Sequence, residues 1–335
     1  MAVPESEQPI LKLGQIESLA ELERKVVQFK GLLSGCGVNL ETGSELERLC
    51  NAVVTVVGKH LSPQLRDPRE DIRKVFADVL GFWLFLTKIL RLQNHPNFQT
   101  IIPHLGLLNK ASLVQTKALT FSNDASNKVL ELLFALVLLE VGSNLVLDDP
   151  NHSIGDNPDI LVTIQGRRWG FACKTITGRS GKAFFDNLKR GVDQIQRSEA
   201  EIGCVAVAFR NLLEHSQFWP MINEEEYRAG AEPIFAAFPE PEQIVGPALF
   251  EEVRRKQMQV LEEIGAEHVL NVFAGKRALP AFLAFCQTAT GTASALGPIP
   301  TSIAILGLVN FNRADAFMSV FHEMNLALHE RKHLS

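Results

Sequence analysis

Apolar residues recur at helical spacing through roughly the first 120 positions, then give way to alternation and short apolar runs. Ile16–Leu33 carries a helical stripe. Ser44 and Glu47 form a capping box ahead of Leu46, Leu49, Val53 and Val57. Asp67 followed by Pro68 is a good helix start, because the proline lacks only an N–H that the first turn leaves unpaired anyway. The helix that follows, through Ile72, Val75, Phe76, Val79, Trp83 and Leu90, is apolar round most of its circumference and should be buried on several sides.

From residue 121 the pattern predicts a helix over Ser126–Val141 stopped by Gly142. Three strands follow, at Asn144–Leu147, Asp159–Ile164 and Arg168–Ile176, the last two joined as an antiparallel hairpin by Gln165-Gly166. A helix over Lys182–Ala200 and a strand over Cys204–Phe209 complete an α-β-β-β-α-β order, which implies a mixed sheet with helices on its faces. Beyond it, Glu224–Ala237 and Glu240–Ile264 read as helices, His268–Phe273 as a strand and Ala278–Gln287 as a helix. Gly291–Pro300 reads as a flexible connector, Thr301–Asn310 as a strand and Arg313–Arg331 as a final helix.

The 335 residues leave room for two parts, a helical interaction domain over 1–120 and an α/β domain over 121–335. The formal net charge of -5 does not announce a nucleic-acid binder, so such a role requires a local basic patch. That patch exists. Arg167, Arg168, Lys174, Arg179, Lys182, Lys189, Arg190 and Arg197 outnumber Asp186, Asp193 and Glu199 along one stretch. Five scattered cysteines without CxxC spacing point to reduced thiols and a cytoplasmic setting. The first residues lack the apolar core of a signal peptide, and the longest apolar runs are too short to span a bilayer.

Glu131 lies among Leu130, Phe134, Val137 and Leu138, where burying an ionised carboxylate costs several kcal/mol unless a metal ion or a lysine compensates. Glu140, nine residues on, falls on the opposite side of the same helix and beside Gly142, where exposure is easy. In the third strand Gly170, Ala172 and Lys174 share a face, and Trp169, Phe171 and Cys173 the other. Ala172 and Lys174 are thus expected to point toward Asp159.

This order (helix Glu131, strand Asn157-Pro158-Asp159, strand Ala172-Cys173-Lys174, helix Gln194) resembles the PD-(D/E)XK nuclease superfamily, the restriction-endonuclease-like fold. The resemblance covers roughly residues 121–210. It implies a metal-dependent endonuclease cleaving phosphodiester bonds of DNA, in restriction or antiviral defence, with RNA as the alternative substrate. Glu131, Asp159 and the backbone of Cys173 would hold magnesium or manganese, Lys174 would position the attacking water, and Gln194 would stand near the site. Arg179, Lys182, Lys189, Arg190 and Arg197 would meet the nucleic acid. The helical part would engage a partner protein or a second copy.

One position departs from the pattern. Where the family carries an acid two residues before the lysine, this chain has Ala172, and a methyl group cannot bind metal. The acid was replaced to prevent cleavage, or it comes from elsewhere with Glu131 the nearest substitute, or the chain is a non-cleaving relative that binds or assembles. Retention of Glu131, Asp159 and Lys174 favours a single replacement in a catalytically crippled nuclease. Two other features carry less. His322, His329 and His333 lie near one face of the last helix, where solvation is expected. Gly178-Arg179-Ser180-Gly181-Lys182 lacks Walker spacing and reads as a mobile loop over the site.

Overall fold

The computed structural model describes residues 19–61, 72–119, 124–150, 157–220, 225–226, 229–230, 236–293, 299–311 and 317–329. The Asp67–Pro68 helix start, most of the expected Glu224–Ala237 helix, and His333 lie outside them. The described chain is an α/β protein. Its helices are α1 (Leu19–Gly35), α2 (Glu45–Leu61), α3 (Ile72–Leu92), α4 (Ile102–Leu105), α5 (Asp124–Val141), α6 (Gly181–Arg197), α7 (Glu242–Ile264), α8 (Ala266–Phe273) and α9 (Met318–Leu328). Its strands are β1 (Ser143–Leu147), β2 (Ile160–Ile164), β3 (Arg167–Thr175), β4 (Ile202–Ala208), β5 (Ala278–Thr292) and β6 (Ile299–Asn310).

The six strands form one open mixed sheet in sequence order, β1 to β6. β2 runs antiparallel to its neighbours β1 and β3, β4 and β5 join in parallel, and β6 returns antiparallel. Gln165 and Gly166 both adopt positive φ, 50° and 76°, as a two-residue turn between right-twisted strands demands. Ser44 Oγ accepts the Glu47 N–H at 3.1 Å, while the Glu47 carboxylate accepts from Gly43 at 2.7 Å, so the capping box closes one residue early. Gly142 follows α5 for a reason of space. A Cβ there would lie 2.5 Å from Val162 Cγ2 and 2.9 Å from the Thr163 carbonyl oxygen.

Helices cover both faces of the sheet. Trp169, Phe171 and Cys173 of β3 share one buried cluster with α1, α2, α3, α5 and α9. Ala172 of β3 belongs to the other, with Phe184, Leu188 and Val192 of α6 and residues of α7 and α8. The first cluster runs without a break from Val26 to Leu328, so the N-terminal helices and the sheet share one core.

Three sequence expectations need correction. Ala278–Gln287 is not a helix but most of β5. Its residues alternate between the clusters, with Ala281, Leu283 and Phe285 on one side and Phe282, Ala284 and Cys286 on the other. A strand buried on both faces loses the polar half of its alternation, and its apolar run then reads like a buried helix. His268–Phe273 is not a strand but part of α8, which buries Val269 and Phe273 one turn apart and exposes Leu270. Gly291–Pro300 is no open connector at its ends. Gly291 pairs with Pro300 and Thr292 with Ile299 in the β5–β6 ladder.

Candidate functional site

The site grows from α5, β2 and β3. On α5, Lys128 and Glu131 are three residues apart and so share a helix face. The Lys128 ammonium donates to Glu131 Oε2 at 2.8 Å and stands 4.0 Å from Asp159 Oδ1. Asp159 lies just before β2. That strand begins at Ile160, paired with Phe171, so β3 runs on to Thr175 without a β2 partner. The Cys173 N–H left over at that edge is satisfied by Asp159 Oδ2 at 2.6 Å. Lys174 Nζ lies 3.6 Å from the same oxygen and donates to the Cys173 carbonyl at 3.1 Å. Two carboxylates and two ammonium groups thus form one cluster.

The cluster is nearly dry. Glu131 and Asp159 are 4 % and 6 % exposed. Burial pushes the Glu131 carboxyl up, and Lys128 pulls it part of the way back. Asp159 rises to about 6, first through burial and then through the Glu131 charge, with Lys174 and Lys128 opposing. Burial alone would lower Lys128, but Glu131, with help from Asp159 and Asp148, reverses the effect and raises it. His104 of α4 closes the cluster, its Nε2 3.5 Å from Glu131 Oε2. Burial and the Lys128 charge lower the imidazole to about 4, which keeps it neutral near pH 7.

Glu140 takes no part. It pairs with Arg91 and, at 3.4 Å, with the buried Lys88. Of the residues singled out from sequence, Glu131, Asp159, Lys174 and the Cys173 backbone are brought together. Cys173 itself turns its side chain into the first core, where burial raises the thiol.

Ala172 is placed differently from the expectation. It shares a strand face with Lys174, but α6 covers that face at position 172, and Ala172 is fully buried in the second core. A Cβ on Gly191 would lie 3.3 Å from the Ala172 methyl and 2.8 Å from Val205 Cγ2, so helix and sheet touch there through a glycine and an alanine. An acid here would project into an apolar core and not into the Glu131–Asp159 cluster. This counts against a replaced catalytic residue, because the neighbouring glycine fits the small side chain. Gln194 is buried on the turn of α6 that lies over Gly203 and Gly170, whereas Lys174 lies toward the other end of β3.

Arg179, Lys182, Lys189, Arg190 and Arg197 are all exposed. The acids of this stretch have partners of their own: Asp186 holds Lys182 at 2.7 Å, Asp193 faces Lys276 at 3.8 Å and Glu199 holds Arg168 at 3.0 Å. Among the described residues no carboxylate pairs with Arg179, Lys189, Arg190 or Arg197. The 178–182 loop does not stand free over the site, as expected, but is tied to α7. Buried Lys256 donates to the Arg179 carbonyl, and Glu263 accepts from the Gly181 and Lys182 N–H groups at 2.9 and 2.7 Å. That carboxylate fills the place at the α6 N-terminus where a phosphate would sit in a nucleotide loop.

The residues do not fit a magnesium ion in this arrangement. Magnesium demands near-octahedral oxygen ligands. Here an ammonium group reaches both carboxylates, the Cys173 carbonyl accepts from Lys174, and position 172 supplies a methyl group to a core. Among the described residues no group of three His, Cys, Asp or Glu side chains is placed to hold a metal. The sequence reading missed Lys128 and His104. Lys128 was legible from its spacing to Glu131, and His104, after Pro103, carried no signal.

Fold and cluster define an α/β protein with an open mixed sheet and a buried carboxylate–lysine site. Comparison of the chain with family models, curated proteins and solved structures returns no match. No described helix is long and apolar enough to cross a membrane.

Proposed function

We propose that this chain is a restriction-endonuclease-like protein that binds nucleic acid, DNA foremost, and does not cut it. The observation that carries the reading is the neutralised cluster. Glu131 and Asp159 meet beside Lys174, as the resemblance implies, yet Lys128 and Lys174 balance both carboxylates. The strand pattern supports the fold assignment: three antiparallel strands, then a crossover helix, then a parallel fourth. The exposed cations of α6 and of Arg179 supply a phosphate-facing surface on an otherwise acidic protein.

The test is fluorescence anisotropy on labelled double- and single-stranded DNA and RNA, over a range of salt. The chain binds, and Lys189→Glu with Arg190→Glu and Arg197→Glu weakens binding at least tenfold and flattens the salt dependence. Equal affinity before and after the charge reversal removes α6 as the surface.

A second reading, magnesium-dependent cleavage, is favoured by the Lys174–Asp159 contact at 3.6 Å, since a cleaving relative needs that lysine beside the metal-binding aspartate. It requires Lys128 to leave the carboxylates when metal arrives.

A further inference from the structure

We infer that the Lys128 ammonium takes the place of a divalent cation between Glu131 and Asp159, and that its removal lets Glu131, Asp159 and His104, which are not placed to hold a metal while it is there, draw together on one. The inference rests on the proposed reading for the location of the site, but it concerns metal occupancy and not nucleic-acid binding.

Three observations lead here. First, Lys128 Nζ addresses one oxygen of each carboxylate, 2.8 Å from Glu131 Oε2 and 4.0 Å from Asp159 Oδ1. An ammonium group so placed satisfies the charge that a bridging cation would satisfy, and both cannot occupy the space. Second, Asp159 is fixed from its other oxygen by the Cys173 N–H at 2.6 Å and by Lys174 at 3.6 Å. With Oδ2 so held, Oδ1 faces the place that Lys128 Nζ occupies.

Third, His104 is 2 % exposed, and neither ring nitrogen has a hydrogen-bond partner among the described residues. A buried imidazole without partners is costly, and here its Nε2 faces Glu131 Oε2 at 3.5 Å. Two ligands each about 2.1 Å from one ion and at right angles stand about 3 Å apart, so a small shift places both on the same ion. The neutral imidazole is already in the state that binds metal. Two carboxylates and an imidazole suit manganese better than magnesium, because the set includes nitrogen. Lys128 comes from the same helix as Glu131, so α5 carries both a ligand and the group that excludes the ion.

The test uses the full chain and MnCl2 alone as the probe. Thermal unfolding and the electron paramagnetic resonance of free manganese are followed for the wild type, Lys128→Met, and Lys128→Met with Glu131→Gln. The wild type shows no change of Tm in millimolar MnCl2. Lys128→Met gains several degrees and removes about one equivalent of free manganese, and Glu131→Gln abolishes both effects. If Lys128→Met loses its fold without metal, recovery of its circular dichroism on adding MnCl2 is the expected result. A wild type that binds manganese as tightly as the variant overturns the inference, and so does a Lys128→Met chain that gains nothing from the metal. Anisotropy on DNA, measured separately in metal-free buffer, reports on the proposed function and is independent of either outcome.

Discussion

Ala172 is fully buried in an apolar core, where a Cβ on the facing Gly191 would lie 3.3 Å from its methyl group. Ala172→Glu is therefore expected to destabilise the chain by more than about 3 kcal/mol, an unpaired carboxylate being forced among apolar side chains. Urea denaturation measures it, and an unchanged midpoint would show that the acid finds a polar place. Asp159 makes a second residue-scale prediction. Its folded-state value of about 6 lies above that of an unfolded chain, so the folded form binds the proton more tightly. The stability this contributes is present below about pH 4 and is lost as pH rises through about 6. His104, lowered to about 4, acts in the opposite sense over the same range and is common to both chains compared. Relative to Asp159→Asn, the wild-type urea midpoint is expected to fall between pH 4 and pH 6 and then level off. A constant difference across that range would mean that Asp159 titrates normally. Of this cluster Glu131 was legible as a carboxylate amid apolar neighbours, and Asp159 and Lys174 through the family resemblance, with strand alternation turning Lys174 toward Asp159. The sequence did not reveal that a lysine on the same helix already answers the carboxylates, because helical spacing alone does not say which side chains share a dry space.

Element by element, legibility follows local signals of turn, length and alternation. The hairpin of β2 and β3 was readable because Gln165-Gly166 announces its turn, and α5 because its apolar run is long and ends at a glycine. β5 was not, since burial on both faces erases the alternation that distinguishes a strand. α8 was misread because Val269 and Val272 favour a strand locally, while the burial of Val269 and Phe273 one turn apart decides for a helix. The tie between α6 and α7 was invisible, because Glu263 lies more than eighty residues from the N–H groups it caps. Glu263→Ala is expected to speed amide hydrogen exchange at 181–184 while leaving β4 protected. Exchange unchanged at those amides would mean that Ser180, which accepts from Ala183 at 3.1 Å, holds the helix end alone. Gly191→Ala should cost about 1–3 kcal/mol, since the added methyl meets Val205 at 2.8 Å.

At the scale of the whole molecule, one core joins parts that sequence composition would separate at about residue 120. Arg210, just after β4, donates to the carbonyls of Val114 and Lys117 at 2.6 and 3.2 Å, and Gln287 of β5 donates to the Leu80 carbonyl of α3 at 3.2 Å. With the apolar cluster continuous across this junction, the helices and the sheet are expected to unfold in one transition, followed by fluorescence and circular dichroism together. Two separated midpoints would instead restore an independent helical domain. The surface divides differently from the core. The cations of α6 stand exposed, while the two carboxylates that a nuclease would turn toward metal are buried against lysines.

Such a molecule is proposed to hold nucleic acid and leave it whole. The measurement is incubation of supercoiled plasmid with the wild-type chain in magnesium and in manganese, at concentrations where gel retardation shows the complex. Retarded but fully supercoiled plasmid, recovered intact after protein removal, is the expected result. Metal-dependent nicking that Lys174→Ala abolishes would contradict it, and would mean that Lys128 yields its place to the ion.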